Sequence, residues 1–309
     1  GVEVSDYDLV GSRDERTGMF ALDHIEQLDL LYLPPLGIDS EVGPAAVLAA
    51  EMYCRARGAM AIIDPVRDWS TVEEAINGVA GTGFRSPNLL SYFPRARDPS
   101  DDGRAARAIG GAIAGALCKQ DRTFGPWVAP EGNGLLLSRS LRPVVDLCAD
   151  DLGRLARAGL HAVLPSSNGT LGFSARVTLA RGSELASKFS ELSVRRQTLE
   201  VINRIANATR WAVFETGDKL LAKRLRAQVL AYLYCLDDLG AFENDRFLVE
   251  CDAEATGRLR NDAATILLGF HPRGCTEAVM LSLHQSATGS RVGSMAFCPV
   301  VPAALPERS

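Results

Sequence analysis

The chain has 309 residues, 47% of them hydrophobic, which is enough to bury a full core in one large or two moderate domains. Its net charge of −5 and isoelectric point near 5.5 argue against a nucleic-acid partner, because phosphate contacts need a basic surface. The longest strongly apolar run, Ala108 to Cys118, is interrupted by glycine and about half of what a membrane span needs. No signal-peptide pattern opens the chain, and we expect no direct membrane insertion.

The seven cysteines are odd in number and widely spaced, and no C-x-x-C pair occurs. Most lie in apolar runs such as Tyr232-Leu-Tyr-Cys-Leu. This pattern argues against a zinc site or a disulfide framework. It predicts reduced, buried thiols in a protein made in a cytosol.

The first half of the chain predicts alternating strands and helices. Ala45 to Arg57 has apolar residues at helical spacing and is followed by Gly58, a helix stop. Ala59 to Asp64 predicts a short buried strand, and Ser70-Thr-Val-Glu73 predicts a capping box at the next helix. The elements expected after these are a strand at Leu89 to Phe93, helices at Arg104 to Lys119 and Leu152 to Ala158, and a strand at His161 to Leu164. The alternation predicts an α/β layer with a largely parallel sheet.

Beyond Ala180 the pattern changes to two long helices followed by strands. Leu192 to Ala208 is amphipathic, and Lys219 to Leu239 predicts a second helix. The three strands expected next are Phe247 to Cys251, Thr265 to Phe270 and Ala278 to Leu283. This order predicts an α+β subdomain. We therefore expect a division into 1–180, 181–285 and an extended or disordered tail at 286–309, which is rich in Gly, Ser and Pro.

An enzyme needs a catalytic constellation, and the sequence offers none that we recognise. None of the four histidines lies in an H-E-x-x-H motif or at helical spacing from a carboxylate pair that would hold a metal. The glycine-rich segment Gly78-Val-Ala-Gly-Thr-Gly83 could approach an anion through bare amides, but no Lys-Ser/Thr follows it. We predict no catalytic residue, cofactor or metal. The alternative is an α/β enzyme or small-molecule binding protein with a site near Gly78 to Arg85.

A run of ordered motifs carries a family resemblance. Glu191-Leu-Ser-Val-Arg-Arg-Gln-Thr-Leu-Glu is followed by Arg210-Trp-Ala-Val-Phe-Glu, by Gly240-Ala-Phe and by Phe247-Leu-Val-Glu-Cys-Asp. Upstream stand a Gly-Pro-Trp-Val-Ala-Pro loop that begins at Gly125 and an Ala-Gly-Leu-His turn at 158–161. The order and content of these motifs resemble contractile phage tail sheath proteins. Members of that family usually begin with an extended arm and a further domain, so we expect this chain to be a truncated or minimal sheath or to lack a proximal segment.

The resemblance implies a mixed sheet flanked by helices, like that of sheath proteins, with a C-terminal α+β subdomain. It implies a structural subunit that forms stacked hexameric rings around a tail tube and contracts to drive the tube through a target envelope. The expected partners are other copies of the chain, the tail tube protein, and baseplate and tail terminator proteins. The expected location is a virion tail or phage-like particle assembled in the bacterial host cytoplasm. The source could be a phage, a bacteriocin or another injection system.

Three sets of residues are predicted to serve assembly. Edge strands of neighbouring subunits are expected to pair. The residues expected at these contacts are Val2, Val4, Val279, Leu281 and Leu283. For Ala278 to Leu283 the alternative is an ordinary core strand.

A second set follows from charge. Lys219, Lys223 and Arg226 recur at i, i+4 and i+7 and predict a tube-facing stripe, with a solvated face as the alternative. The adjacent Arg195 and Arg196 match the arginine pair of the sheath pattern. Because neighbours on a helix point about 100° apart, one is expected to pair within the subunit and the other with a neighbour.

Overall fold

The computed structural model divides the chain into two compact units, Gly1–Arg195 and Arg196–Ser309. The residues that it describes are 5–37, 40–100, 106–129, 135–137, 141–180, 188–215, 219–252 and 262–302. The three-part division expected from the sequence stays a prediction.

A six-stranded mixed sheet forms the centre of the N-terminal unit. The strands of this unit are β1 (Leu30–Tyr32), β2 (Met60–Ile63), β3 (Leu89–Phe93), β4 (Ala96–Arg97), β5 (Leu135–Leu136), β6 (Arg142–Pro143), β7 (Leu160–Pro165) and β8 (Leu171–Phe173). Their order in the large sheet is β1-β2-β3-β7-β8-β5, whereas β4 and β6 pair separately. The first four strands are parallel, and β8 runs antiparallel to both of its neighbours. The predicted α/β layer with a largely parallel sheet is confirmed.

The structure describes five α-helices in this unit, of which the first precedes β1 and the other four lie between strands. They are α1 (Asp6–Val10), α2 (Pro44–Arg57), α3 (Val72–Thr82), α4 (Gly110–Phe124) and α5 (Ala149–Ala158). As predicted, α2 ends at Gly58, which adopts the left-handed conformation with φ 64°. The capping box of α3 lies one residue later than predicted, because the threonine rather than the serine is the N-cap: Thr71 Oγ1 accepts the Glu74 N–H at 3.2 Å, and Glu74 accepts the Thr71 N–H at 3.1 Å.

The core of the N-terminal unit lies between the sheet and its helices. Tyr53 of α2 and Leu155 of α5 are buried against Leu31, Leu89 and Phe93 of the parallel strands. Burying an aliphatic or aromatic side chain of this size contributes roughly 1.5–3 kcal/mol each. The parallel strands therefore form a rigid support whose carboxyl ends hold the polar network described below.

The C-terminal unit pairs two helices with a four-stranded antiparallel sheet. Its helices are α6 (Leu192–Ala208), which begins at the end of the N-terminal unit, and α7 (Lys219–Asp238), with a 3₁₀ turn at Arg210–Phe214 between them. Its strands are β9 (Leu248–Asp252), β10 (Asp262–Phe270), β11 (Ala278–Ser286) and β12 (Gly289–Cys298), in the order β12-β11-β10-β9. The predicted α+β subdomain is confirmed. The segment 289–298, expected to be an extended or disordered tail, instead forms the fourth strand.

No helix among the described residues is both long enough and apolar enough to cross a membrane.

Candidate functional site

Strand β11 lies in the interior of the C-terminal sheet, which corrects the edge-strand prediction for this segment. Its residues pair with β10 on one side and with β12 on the other. Val279, Leu281 and Leu283 are at most 1% exposed. Apolar alternation gave the strand correctly but could not tell an interior strand from an edge strand, because both bury one face. These three residues are core residues and cannot offer a strand edge to another chain.

The outer edges of this sheet are β9 and β12. At β9, the guanidinium of Arg226 donates its Nε–H to the carbonyl of Val249 at 2.9 Å, so a side chain of α7 already uses part of that edge. Among the described residues, no strand pairs with the outer edge of β12. The other two residues predicted at this kind of contact, Val2 and Val4, lie outside the described residues.

Hairpin geometry shows which backbone groups of β12 face this open edge. Ser286 pairs with Gly289 across a two-residue turn, so this pair exchanges both of its hydrogen bonds. Hydrogen-bonded and non-hydrogen-bonded pairs then alternate along the hairpin. The N–H and C=O groups of Ser290 and Val292 therefore point away from β11. A second chain in extended conformation could pair with them.

The three predicted tube-facing cations differ in their surroundings. Lys219 and Lys223 are exposed on α7 and have no hydrogen-bond or ion-pair partner among the described residues. Arg226 is bound to Val249 as described above and is less available to another protein. Sequence analysis missed Arg224, which pairs with Glu215 at 3.6 Å and lies 4.5 Å from the centre of the Trp211 ring.

An exposed aromatic side chain lies close to these cations in the sequence. Phe214 ends the 3₁₀ turn and is 90% exposed, and Leu220 at the start of α7 is 64% exposed. Large apolar side chains that are exposed next to charged groups are typical of protein contact surfaces. The Trp-x-x-Phe-Glu spacing had drawn attention to the segment, but its exposure could not be read from the sequence.

The adjacent arginines at the start of α6 are both buried, at 9% exposure. Arg195 donates from Nη2 to the Asn88 amide oxygen at 2.8 Å, and its guanidinium carbon lies 4.7 Å from the centre of the Phe189 ring. Its Nε has no partner among the described residues, and burial lowers the pKa of Arg195 to about 10. This partner lies within the same chain and is an uncharged amide oxygen. Arg196 is not the exposed member of the pair that a contact with a neighbouring subunit would need.

The alternative site near Gly78 to Arg85 is the C-terminal end of a helix. Gly78 lies inside α3, where an added Cβ would come within 2.4 Å of the Trp69 ring, so the glycine serves close packing. Gly83 ends the helix in the left-handed conformation, and Arg85 donates to the carbonyls of Val79 and Ala80 at 3.1 and 3.0 Å. A helix C-terminus presents carbonyls and repels anions. This end of the helix is therefore unsuited to cradle a phosphate.

Asp64, which sequence analysis treated only as a strand end, is the centre of a polar network at the carboxyl end of β2. Its Oδ1 accepts from the Tyr92 hydroxyl at 2.5 Å and from the Gly110 N–H at 3.2 Å, and its Oδ2 accepts from the Tyr32 hydroxyl at 2.8 Å. Burial raises the pKa of this carboxyl, although these hydrogen bonds and Arg95 oppose the shift. The network joins three parallel strands to the N-terminus of α4.

The approach of α4 to this network requires glycine at one position. A Cβ on Gly110 would lie 2.3 Å from the Tyr32 ring and 2.8 Å from Asp64 Oδ1. Gly115 of the same helix has no such role, because a Cβ there would meet nothing within 4 Å.

A cavity of about 40 Å³ lies beside the network, at the carboxyl ends of β1 and β2. Its charged lining groups are Glu41, Asp64 and Arg95. Arg95 is 5% exposed, donates to the Pro65 carbonyl at 2.8 Å and lies 3.3 Å from Glu41. Arg95 and Glu41 thus pair with each other, whereas Asp64 is held by its three hydrogen bonds. The volume of the cavity suits a few water molecules. Among the described residues, no group of three or more His, Cys, Asp or Glu side chains is placed to hold a metal ion.

The fold of the chain is that of contractile sheath proteins. The contracted helical sheath of the anti-feeding prophage matches all of this chain and 75% of its own, with 18% identity and a TM-score of 0.65. The contracted PVC sheath complex of an extracellular contractile injection system matches 81% of this chain and 69% of its own, with 19% identity and a TM-score of 0.64. A sheath tail protein from Desulfitobacterium hafniense matches 86% of this chain and 58% of its own, with 12% identity and a TM-score of 0.60.

A sequence relative agrees with this. The tail sheath protein of Vibrio phage KVP40 is 28% identical over 148 residues, which are 47% of this chain and 21% of the phage protein. The matched part is thus about a fifth of the length of that relative. No family model matches the chain. The resemblance to contractile tail sheath proteins that the motifs predicted is confirmed.

Proposed function

We propose that this chain is a structural subunit of a contractile sheath, which assembles as stacked hexameric rings around a tube and contracts to drive the tube through a target envelope. The observation that carries the proposal is the match of the entire chain to a contracted helical sheath. A second match is to the six-fold symmetrised structure of the anti-feeding prophage baseplate. We further propose the phage tail or phage-like particle as its location, its assembly in the bacterial host cytoplasm, and a purely structural, non-enzymatic role.

The partners follow from this proposal. They are other copies of the chain, the tube protein, and baseplate and terminator proteins at the two ends. The energy for contraction would be stored in the extended assembly and released when contacts between bistable subunits repack. Such a subunit needs no nucleotide of its own.

The open edge of β12 is the candidate strand contact between subunits. Val292→Pro removes one outward N–H without removing a bond to β11, and proline is tolerated at such positions of edge strands. We expect this variant to keep the melting temperature of the monomer and to lose polymer, as measured by sedimentation and circular dichroism.

Arg291→Pro is the matched control. Its N–H points toward His284 of β11, so this variant is expected to lose a hydrogen bond within the chain and to melt at a lower temperature. If the Val292→Pro chain formed polymer as well as the unchanged chain does, the β12 edge would not be the contact.

Lys219 and Lys223 remain the candidate tube-facing residues. Arg226 belongs to the same stripe, but its side chain is hydrogen-bonded within the chain. A sheath must hold its tube through contacts that can slip, and screened surface ion pairs contribute only about 0.2–1 kcal/mol each. We expect Lys219→Glu combined with Lys223→Glu to reduce cosedimentation of the chain with tube.

The matched control for the tube contact reverses two exposed cations on another helix, Lys119 and Arg122 of α4. This control should bind tube normally. If both double variants bound tube as well as the unchanged chain does, the α7 stripe would be a solvated surface and not a tube contact.

A further inference from the structure

Helix α7 has its charges at the wrong ends for its own dipole. Backbone dipoles leave the N-terminus of a helix positive and the C-terminus negative, so that anions are favoured at the start and cations at the end. In α7 the order is reversed, with no acid in the first turn and no base in the last. All charged side chains of the helix follow this order: Lys219, Lys223, Arg224 and Arg226, then Asp237 and Asp238.

Within the part of the chain that the structure describes, only some of these charges have a partner. Arg224 and Arg226 have the partners described above, Glu215 and the Val249 carbonyl. Among the described residues, the side chains of Lys219, Lys223, Asp237 and Asp238 have no hydrogen-bond or ion-pair partner. Counting only described partners, two cations at one end of the helix and two anions at the other are thus unpaired.

Exposed apolar side chains accompany the charges at both ends. Phe214 and Leu220 stand by the basic end, at 90% and 64% exposure. Tyr234 and Leu239 stand by the acidic end, at 51% and 66% exposure. Because α7 has 20 residues and each adds about 1.5 Å, the two ends lie roughly 30 Å apart and cannot neutralise each other within one chain.

We propose that the basic end of α7, with Lys219 and Lys223, docks on the acidic end of α7 of a second copy of this chain, with Asp237 and Asp238. The occupant follows from charge complementarity, since each end carries two charges of the sign that the other lacks. The contact joins two different patches, so it is heterologous. Such contacts propagate into rings or helical filaments and do not close as simple dimers.

The test is a charge swap between the two ends. One variant carries Lys219→Glu and Lys223→Glu, and the other carries Asp237→Lys and Asp238→Lys. In each double variant the two ends of α7 carry charges of the same sign. We expect the protein concentration needed for self-association to rise about tenfold in each of them. Two or more screened ion pairs can give an effect of that size. Mixing the two variants, or combining all four substitutions in one chain, should restore association because opposite charges then meet again.

This contact and the tube-facing assignment compete for Lys219 and Lys223. Sedimentation velocity without tube is therefore the readout, because it measures only the contact between copies. Association of the unchanged chain should weaken as ionic strength rises. The inference is overturned if each double variant associates like the unchanged chain, or if neither the mixture nor the four-fold variant recovers. Either result leaves the sheath proposal standing when the unchanged chain still polymerises. An unchanged chain that does not associate at all contradicts both.

Discussion

Replacing Asp64 with alanine is expected to lower the free energy of unfolding of the N-terminal unit by about 3 kcal/mol. The substitution removes the acceptor for three donors, and the Tyr92 side chain that supplies one of them is fully buried. A buried donor without an acceptor costs the full desolvation of that group. The loss should appear as a shift of the urea midpoint followed by tryptophan fluorescence, in a Trp211→Phe background where Trp69 and Trp127 report the N-terminal unit.

Asp64→Asn is the matched control, because it keeps an oxygen acceptor and removes the charge. Burial raises the pKa of the Asp64 carboxyl, so the ionised form is itself disfavoured in this place. We expect the asparagine variant to stay within about 1 kcal/mol of the unchanged chain. Equal losses in the two variants would show that the charge, and not the acceptor, holds the network together.

The second large effect is expected at His161 in β7 and depends on pH. The ring is fully buried and stacks on Phe173 with centroids 4.6 Å apart, and Nδ1 accepts the Arg176 N–H at 3.2 Å. Burial lowers the pKa of His161 from 6.5 to about 3. Between pH 6.5 and about pH 3, the imidazole is therefore protonated in the unfolded chain and neutral in the folded chain. Stability from this residue is fully present above pH 6.5 and is lost as the pH falls toward 3.

His161→Asn tests this expectation, since its amide oxygen can occupy the Nδ1 position without titrating. At pH 7 the variant should be less stable, because a smaller side chain leaves a cavity beside Phe173. Between pH 6.5 and pH 4 the unchanged chain should lose about 3 kcal/mol more than the variant, at roughly 1.4 kcal/mol per pH unit. Parallel curves of unfolding free energy against pH would contradict a buried neutral histidine.

Some elements of the fold could be predicted because local pattern and tertiary environment agree. The amphipathic run Leu192 to Ala208 gave both bounds of α6, since a single apolar face also faces the core. The strands β9, β10 and β11 were found from β-branched and aliphatic runs between turn residues. In contrast, β12 was missed. The segment Gly289-Ser-Arg-Val-Gly-Ser-Met has little intrinsic β-propensity. It forms a strand because it pairs with β11, and the local sequence pattern does not reveal that pairing.

The candidate sites were harder to predict, because they depend on relations between distant residues. The polar network at Asp64 joins Tyr32, Tyr92 and Gly110, which are separated by up to 46 positions from it. The solvent exposure of individual side chains could not be predicted from the sequence either. Cys235 was expected among buried thiols because it lies in an apolar run, yet it is exposed on α7. A helix buries only one stripe, and composition alone does not say which residues fall on it.

Negative-stain microscopy of the purified chain tests the central claim, polymerisation as a sheath, most directly. The account predicts tubes or striated stacks of rings, which disappear in the Val292→Pro variant while its monomer remains folded. A chain that stays a monodisperse monomer at every concentration up to its solubility limit, alone and with tube present, would contradict a sheath subunit.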